Sequence, residues 1–447
     1  MHEHITPTRR ERRATTTRRR RVLTLFVAPI AITVLAVGTM GVAPSASHEP
    51  YAARDEETVA DIQAFWAATM PDVYGQPYEP IPVDRLFPYS ASNPPPGCGT
   101  RGDMPYTEVA GNAFYCSLGD FVAWDVQDLF PRLAEQFGEF APALVLAHEW
   151  GHAVQARVGN DSYQTVYLEQ QADCFAGAWA SHVASDDSTL SVSADDLDRA
   201  LAGMLQLSDP VGVDASQQGA HGNGFDRVSA FQEGVEEGAA ACAAYQTDPP
   251  AVTESGFTSQ ADYASGGDMA LEDLVPAITD ALQRYWEQAG SELSPPQLVS
   301  AADAPTCDAG TDGGVLVESV RYCPSDNTIV YDAATLREAH SSVGDFAAAL
   351  LVATEWSSGV QHELGNQLST DDARRSAECL TGAFTGSLDN NRRSSSSDGI
   401  TLSPGDLDEV VTMLVAAKSG DERGTAFSRV SAFRAGFFDG VGACTRL

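Results

Sequence analysis

The chain has 447 residues, 43% of them hydrophobic and 20% charged, a length above one average domain and a composition able to bury a core. Its formal net charge is -35, and the basic residues gather at the start: residues 1–47 hold eight Arg and two Glu, while Lys418 is the one lysine. The rest of the chain is therefore strongly acidic and repels phosphate backbones, which excludes nucleic acid as an expected partner.

In chain order, Arg9, Arg10, Arg12, Arg13 and the run Arg18 to Arg21 form a basic segment over residues 1–21, followed by an apolar stretch over 22–43. That stretch is long enough to span a bilayer as a helix, with the arginines on the cytoplasmic side. A cleaved signal peptide is the competing reading, because small residues follow at Ala43-Pro44-Ser45-Ala46-Ser47. The run exceeds a usual signal core, which favours a transmembrane anchor. The expected location is the cell membrane, single-pass with the bulk of the chain extracytoplasmic, or secretion after cleavage. Eight cysteines, an even count, suit disulfides in that compartment.

Beyond the apolar stretch the sequence repeats itself. LVLAHEWGHAVQARVGN (144–160) matches LLVATEWSSGVQHELGN (350–366), ADCFAGAW (172–179) matches AECLTGAF (377–384), and HGNGFDRVSAFQEG (221–234) matches RGTAFSRVSAFRAG (423–436). Upstream, NAFYCSLGDFVAWD (112–125) matches SVRYCPSDNTIVYD (319–332), and Trp66 pairs with Trp286. Two units are expected, 52–246 and 268–447, joined by a linker at 247–267. The fold class is α+β, mainly α, each unit combining a small β-hairpin or sheet with several helices. The elements anticipated are a helix near Val59–Thr69 (or Leu271–Gln288), strands at Ala113–Cys116 and Phe121–Asp125, and helices near Pro142–Val158, Tyr167–Val183, Ala194–Gln206 and Arg227–Ala240. Gly159 should cap the second of these and Ser193 should open the fourth. Cys98, Cys116, Cys174 and Cys242 match Cys307, Cys323, Cys379 and Cys444 in order. The economical pairing is Cys98–Cys116, Cys174–Cys242, Cys307–Cys323 and Cys379–Cys444, other pairings within a unit remaining open.

The chemistry concentrates in His148-Glu149-Trp150-Gly151-His152. Two histidines four apart on a helix project from one face and suit two corners of a zinc tetrahedron, and Glu149 beside them can take a proton from metal-bound water. Chance supplies such a short pattern in roughly one chain in a hundred of this length, so the next helix matters. There Glu169 and Asp173 lie one turn apart, with Gly177 and Ala180 continuing their face and allowing close approach to the histidine helix. Glu169 would complete a His-His-Glu set, and Asp173 would accept the second N–H of a ligand histidine. An extended substrate could pair with the strand Phe121–Asp125.

With NAFYC upstream, HEWGHAVQ, LEQQADCFAGAWA and HGNGFDRVSAFQEG resemble the putative neutral zinc metallopeptidase family of bacteria, over most of the first unit. The resemblance implies a gluzincin-like zinc site with His148, His152 and Glu169 as ligands and Glu149 as base. It also implies a zincin-like fold, peptide or protein substrates and one N-terminal membrane segment.

The second unit is a control within the chain. Thr354 and Ser358 stand where the histidines would be, Arg374 where Glu169 would be, and Glu378 where Asp173 would be. A guanidinium at a ligand position is incompatible with zinc, so one zinc per chain and an inactive, degenerate second unit are expected. Trp356, Gln361, Asp332, Tyr322 and Arg429 are retained, which assigns Trp150, Gln155, Asp125, Tyr115 and Arg227 to the fold. His221 changes to Arg423 and is the candidate donor to an oxyanion. The reading overall is an exported, membrane-anchored zinc endopeptidase. The alternative is an extracytoplasmic binding or scaffold protein with a peptidase-like fold.

Overall fold

The computed structural model describes residues 51–447 except 161–163, 186–187, 254–255, 258, 290–293, 304–306, 308–313, 367–370, 390–399, 418–424 and 445–447. The basic segment, the apolar stretch 22–43 and Arg423 lie outside the described residues. Among the described residues no helix is long and apolar enough to cross a membrane.

The first half opens with α1 (Tyr51–Tyr74), whose Ile62, Trp66 and Met70 recur at helical spacing and are buried. A 3-10 turn at Val83–Arg85 leads into β1 (Leu86–Tyr89), then α2 (Tyr106–Val109), β2 (Ala113–Cys116) and β3 (Phe121–Asp125). Next come α3 (Leu129–Phe137), α4 (Phe140–Val158), α5 (Thr165–Val183), α6 (Ala194–Leu205), α7 (Gly224–Glu237) and α8 (Ala239–Ala244). Local chemistry sets the ends. Gly159 takes φ 70° and closes α4 through its N–H to Gln155, while Ser193 and Asp196 bond reciprocally to open α6.

The second half follows the same order after α9 (Gln260–Ser265): α10 (Leu271–Gln288), β4 (Gln297–Ser300), β5 (Val320–Cys323), β6 (Thr328–Tyr331) and α11 (Ala333–Ser342). It ends with α12 (Asp345–Glu363), α13 (Asp371–Leu388), α14 (Asp406–Ala416), α15 (Ala426–Asp439) and α16 (Val441–Cys444). Among the described residues the fold is mainly helical with two three-stranded sheets, β1-β3-β2 and β4-β6-β5. The hairpins fall where the sequence puts them. The parallel strands β1 and β4 were not anticipated, being four residues each and, in β1, interrupted by Pro88. They put β3 in the middle of its sheet, paired on both sides, so Phe121–Asp125 has no free edge to offer a substrate. The edge beside α4 belongs to β2.

The four disulfides are Cys98–Cys116, Cys174–Cys242, Cys307–Cys323 and Cys379–Cys444, the pairing drawn from the repeated spacing. They suit an oxidising compartment outside the cytoplasm. Close helix approach also depends on missing side chains, but not between the partners anticipated. Gly177 faces α7 rather than α4: a Cβ on it would lie 2.0 Å from the carbonyl oxygen of Phe231. The approach of α4 to α5 is made by Gly151, where a Cβ would lie 2.8 Å from Cα of Ala172.

The described residues form a single body, and its two halves share one hydrophobic core. Their seam exchanges helix caps. Asp408 of α14 accepts the N–H of Phe225 at 2.9 Å at the start of α7, and Asp198 of α6 accepts those of Ala426 and Phe427 at 2.7 and 2.9 Å at the start of α15. Each carboxylate satisfies backbone donors that no helix can satisfy for itself. Replacing either by Ala should cost about 1 kcal/mol, read as a lower Tm in thermal melts.

Beside this seam Asp226 is buried, and burial, then the negative charges of Asp408 and Asp389, push its pKa from 3.8 up to about 7 despite hydrogen bonds from Thr253. A carboxyl whose folded pKa is raised takes up a proton on folding, so its stabilisation is complete below its unfolded value and is lost as pH rises through about 7. Melts from about pH 5 to about pH 8 should show a falling Tm, and Asp226→Asn should flatten the fall.

Candidate metal centre

His148 and His152 lie one turn apart on α4, and Glu169 and Asp173 one turn apart on α5, so the crossing of two helices assembles four polar side chains. His148 Nε2 is 3.2 Å from His152 Nε2 and 3.1 Å from Glu169 Oε2, and His152 Nε2 is 3.4 Å from Glu169 Oε1. Corners of a tetrahedron around zinc, at ligand distances of about 2.0–2.1 Å, are roughly 3.3–3.4 Å apart. The two histidine nitrogens and the Glu169 carboxylate, whose Oε2 meets His148 and Oε1 meets His152, are thus spaced close to what one zinc ion asks for, and their nitrogen and carboxylate chemistry suits it.

The other ring nitrogens are held from behind. His148 Nδ1 donates to Asp173 Oδ1 at 2.7 Å, and Asp173 accepts two bonds from the buried Arg227 of α7, Nε at 2.8 Å and Nη2 at 2.9 Å. His152 Nδ1 donates to Gln155 Oε1 at 2.9 Å, and Gln155 Nε2 is anchored on the carbonyl of Leu168 at 2.6 Å. Both histidines thereby turn their Nε2 atoms to the same point. Burial lowers the pKa of His148, but Asp173 and Glu169 outweigh it and lift the group to about 10. Burial likewise opposes the rise of His152, where Glu169 prevails. Glu169 and Asp173 are held low in spite of burial, Glu169 chiefly by the two histidines and Asp173 chiefly by Arg227. The pocket thus favours carboxylates beside positive charge.

Glu149 is buried beneath β2, where Oε2 accepts the N–H of Tyr115 at 2.8 Å. Several neighbours serve the fold, as the sequence suggested. Trp150 donates to Tyr78, Tyr115 to Asp120, and Asp125 accepts from Tyr106, Gly111, Gln127 and Asp128. His221 is outside the ligand cluster. Its ring is 51% exposed, held by Asp209 through the backbone N–H at 2.6 Å and Nδ1 at 3.3 Å. The bond to Asp209 raises its pKa against some burial, and the charge of Glu169 adds to the rise.

Two residues assigned to the fold alone, Gln155 and Arg227, prove to orient the histidines. Their retention as Gln361 and Arg429 concealed this, because both also make structural bonds: Gln361 repeats the backbone anchor on Ala373 at 2.8 Å. The available signal was spacing, since Gln155 follows His152 by three residues on one helix face.

In the second half Thr354 and Ser358 spend their hydroxyls on carbonyls of their own helix, and Arg374 pairs with Asp371 at 3.5 Å. Glu355 has both oxygens engaged, by Val315 N–H at 2.6 Å and Tyr322 N–H at 2.8 Å. Burial lifts its pKa to about 7.

Two histidines and a carboxylate, half-buried where two helices cross and adjoined by a second carboxylate, form a cluster whose donors could hold a metal ion. Residues 39–247 match the family model described as putative neutral zinc metallopeptidase, the family that the sequence motifs resemble. The uncharacterized protein YpfJ of Escherichia coli is 27% identical over 216 residues, covering 41% of this chain and 70% of that protein. Uncharacterized proteins of Mycobacterium bovis and Mycobacterium tuberculosis are 34% identical over 133 residues, covering 27% of this chain and 40% of theirs. No solved structure matches significantly.

Gln155→Leu removes the acceptor behind His152 and should weaken zinc affinity about 10- to 100-fold, measured by competition with a chromogenic chelator.

Proposed function

We propose that the protein is an exported zinc endopeptidase with one catalytic centre per chain, formed by His148, His152 and Glu169 as ligands and Glu149 as general base. The observation that carries this reading is the meeting of two histidine nitrogens 3.2 Å apart with the two oxygens of Glu169 at 3.1 and 3.4 Å, beside a buried carboxylate. Zinc bound there supplies Lewis acidity and lowers the pKa of a water ligand.

The chain's own residues do the rest. Tyr115 N–H fixes Glu149 through Oε2, leaving Oε1 outside that bond to accept a proton from the attacking water and pass it to the departing amine. Asp173 and Gln155 hold the histidine tautomers, and Arg227 keeps Asp173 ionised. His221, positioned by Asp209, would donate to the oxyanion once substrate fills the cleft. The substrate backbone would extend along β2, whose outer edge lies beside α4, since β3 is covered on both sides. The second half, a degenerate copy in this reading, lacks the ligands and has its glutamate engaged at both oxygens, so it is not catalytic. The N-terminal basic and apolar segments would direct export and tether the chain to the membrane unless they are cleaved.

The competing reading is a scaffold that binds zinc without hydrolysis. Metal analysis of wild-type protein and Glu149→Gln, with cleavage of an unfolded protein substrate, separates the two. The endopeptidase reading expects about one zinc in both proteins and at least a hundredfold loss of rate in the variant. Zinc in both with no cleavage by either across varied substrates would establish the scaffold.

A further inference from the structure

A second cluster of oxygen donors lies far from the histidines in sequence. Where α12 and α14 begin, Asp345 and Glu409 meet Asp268, which precedes α10. One ligand atom from each of the three lies within 4.8 Å of the others. Asp406 adjoins them and shares their field. Each of the helix carboxylates accepts backbone donors on one oxygen: Asp345 from Met269 at 2.7 Å, Glu409 from Phe346 at 2.8 Å and Ala347 at 3.3 Å, Asp406 from Ser403 at 2.7 Å. The remaining Oδ1 atoms of Asp345 and Asp406, residues only 4% and 3% exposed, are buried with no hydrogen-bond partner. Buried unpaired carboxylate oxygens are costly unless something positive faces them.

The first half shows what that something is. Gly138-Glu139-Phe140 and Asp196-Leu197-Asp198-Arg199 correspond to Gly344-Asp345-Phe346 and Asp406-Leu407-Asp408-Glu409. Arg199 packs against Gly138, where a Cβ would lie 3.2 Å from its Nε, just as Glu409 packs against Gly344. Arg199 pairs with Asp196 at 2.6 Å, and Arg54 pairs with Glu139 at 3.1 Å. The second half puts Glu409 in place of Arg199 and Leu274 in the helix position corresponding to Arg54. Among the described residues, no Lys or Arg pairs with Asp268, Asp345, Asp406 or Glu409. The one imidazole in their field, His340, gives its Nε2 to the carbonyl of Met269 at 2.8 Å.

We propose that Asp268, Asp345 and Glu409, with Asp406 adding its charge beside them, bind a calcium ion, which occupies the place of the Arg199 guanidinium in the first half. The donors are all oxygen and include no histidine or cysteine, the chemistry of a hard cation rather than zinc. Burial and mutual repulsion push Glu409 up to about 8 and raise Asp345 and Asp406, a state that a bound cation reverses. The ion ties the starts of α12 and α14 to the segment before α10. It therefore steadies α14, whose Asp408 reaches across to α7.

The test is isothermal titration of CaCl2 into full-length protein stripped of metal and reloaded with one equivalent of zinc, together with thermal melts. One calcium should bind with Kd about 0.1 mM, and 10 mM calcium (roughly 100 Kd) should raise Tm by about 3 °C. Glu409→Gln should lose the binding. Glu409→Arg should lose both the binding and the calcium-dependent Tm shift, while melting without calcium at or above the calcium-free wild type. His148→Ala should keep the calcium response, separating this site from the zinc centre. No calcium binding by the wild type, or binding that survives both Glu409→Gln and Asp345→Asn, overturns the proposal and leaves shared protons as what neutralises the cluster.

Discussion

The crossing of α5 and α7 leaves no room for a side chain on either helix. A Cβ on Gly177 would strike the carbonyl of Phe231, and one on Gly234 would lie 1.8 Å from the carbonyl of Cys174. Backbones in such contact cannot slide without collision, so the crossing fixes the register of the two helices. Asp173 lies one turn before Gly177 on α5, and Arg227 lies one turn before Phe231 on α7. Their buried two-point ion pair is thus a consequence of the glycine contact. The approach of Gly151 to Ala172 does the same for α4, setting His148 against Asp173. Three glycine contacts therefore align three helices, and the cluster of His148, His152, Glu169 and Asp173 is what they carry at that point. Such a buried pair is sustained by geometry rather than by surplus stability, because desolvation of both ions offsets most of their attraction.

The second half separates the packing from the chemistry. Gly382 and Gly436 meet Phe433 and Cys379 as closely as their counterparts do, and the disulfide Cys379–Cys444 spans the same elements. Yet Glu378, in place of Asp173, has a buried oxygen with no hydrogen-bond partner, and burial lifts its pKa to about 8. Arg429 donates instead to the carbonyls of Leu414 and Ala417. One helix crossing thus supports both a charged, ligand-orienting network and a largely structural one. The crossing constrains which positions can reach one another, and the residue types placed there decide the chemistry.

This division explains what the sequence made legible. The hairpins, the cysteine pairing, the caps at Gly159 and Ser193 and the four residues of the centre are local patterns or repeated spacings, and such signals survive without a structure. Gly177 was a residue of the right kind read against the wrong neighbour, since periodicity gives the face of a helix but not what meets it. The third strand of each sheet escaped because it pairs in parallel with a strand distant in sequence, with no tight turn to mark the pairing as there is in the hairpin, and the consequence was a substrate edge assigned to the covered strand. Gln155 and Arg227 were hidden by their double use. A residue that serves both fold and site is matched in a stretch where the histidines are not, so retention alone cannot separate the two roles.

The exchanged caps at the seam extend the argument across the chain. Helix α7 begins at Gly224, and its first free donors are taken by Asp408 of the second half. Arg227 follows within the first turn and reaches the histidines through Asp173. A carboxylate at a helix start both satisfies backbone N–H groups and interacts favourably with the helix dipole, and these effects fall off within that same turn. The second half therefore meets the first not at the histidines but at the helix end whose arginine bonds Asp173, the partner of His148. In return Asp198 does the same for α15, where Arg429 has no ligand to align. The exchange is symmetric in structure, so the half without the histidine pair still completes the surroundings of the half that carries it.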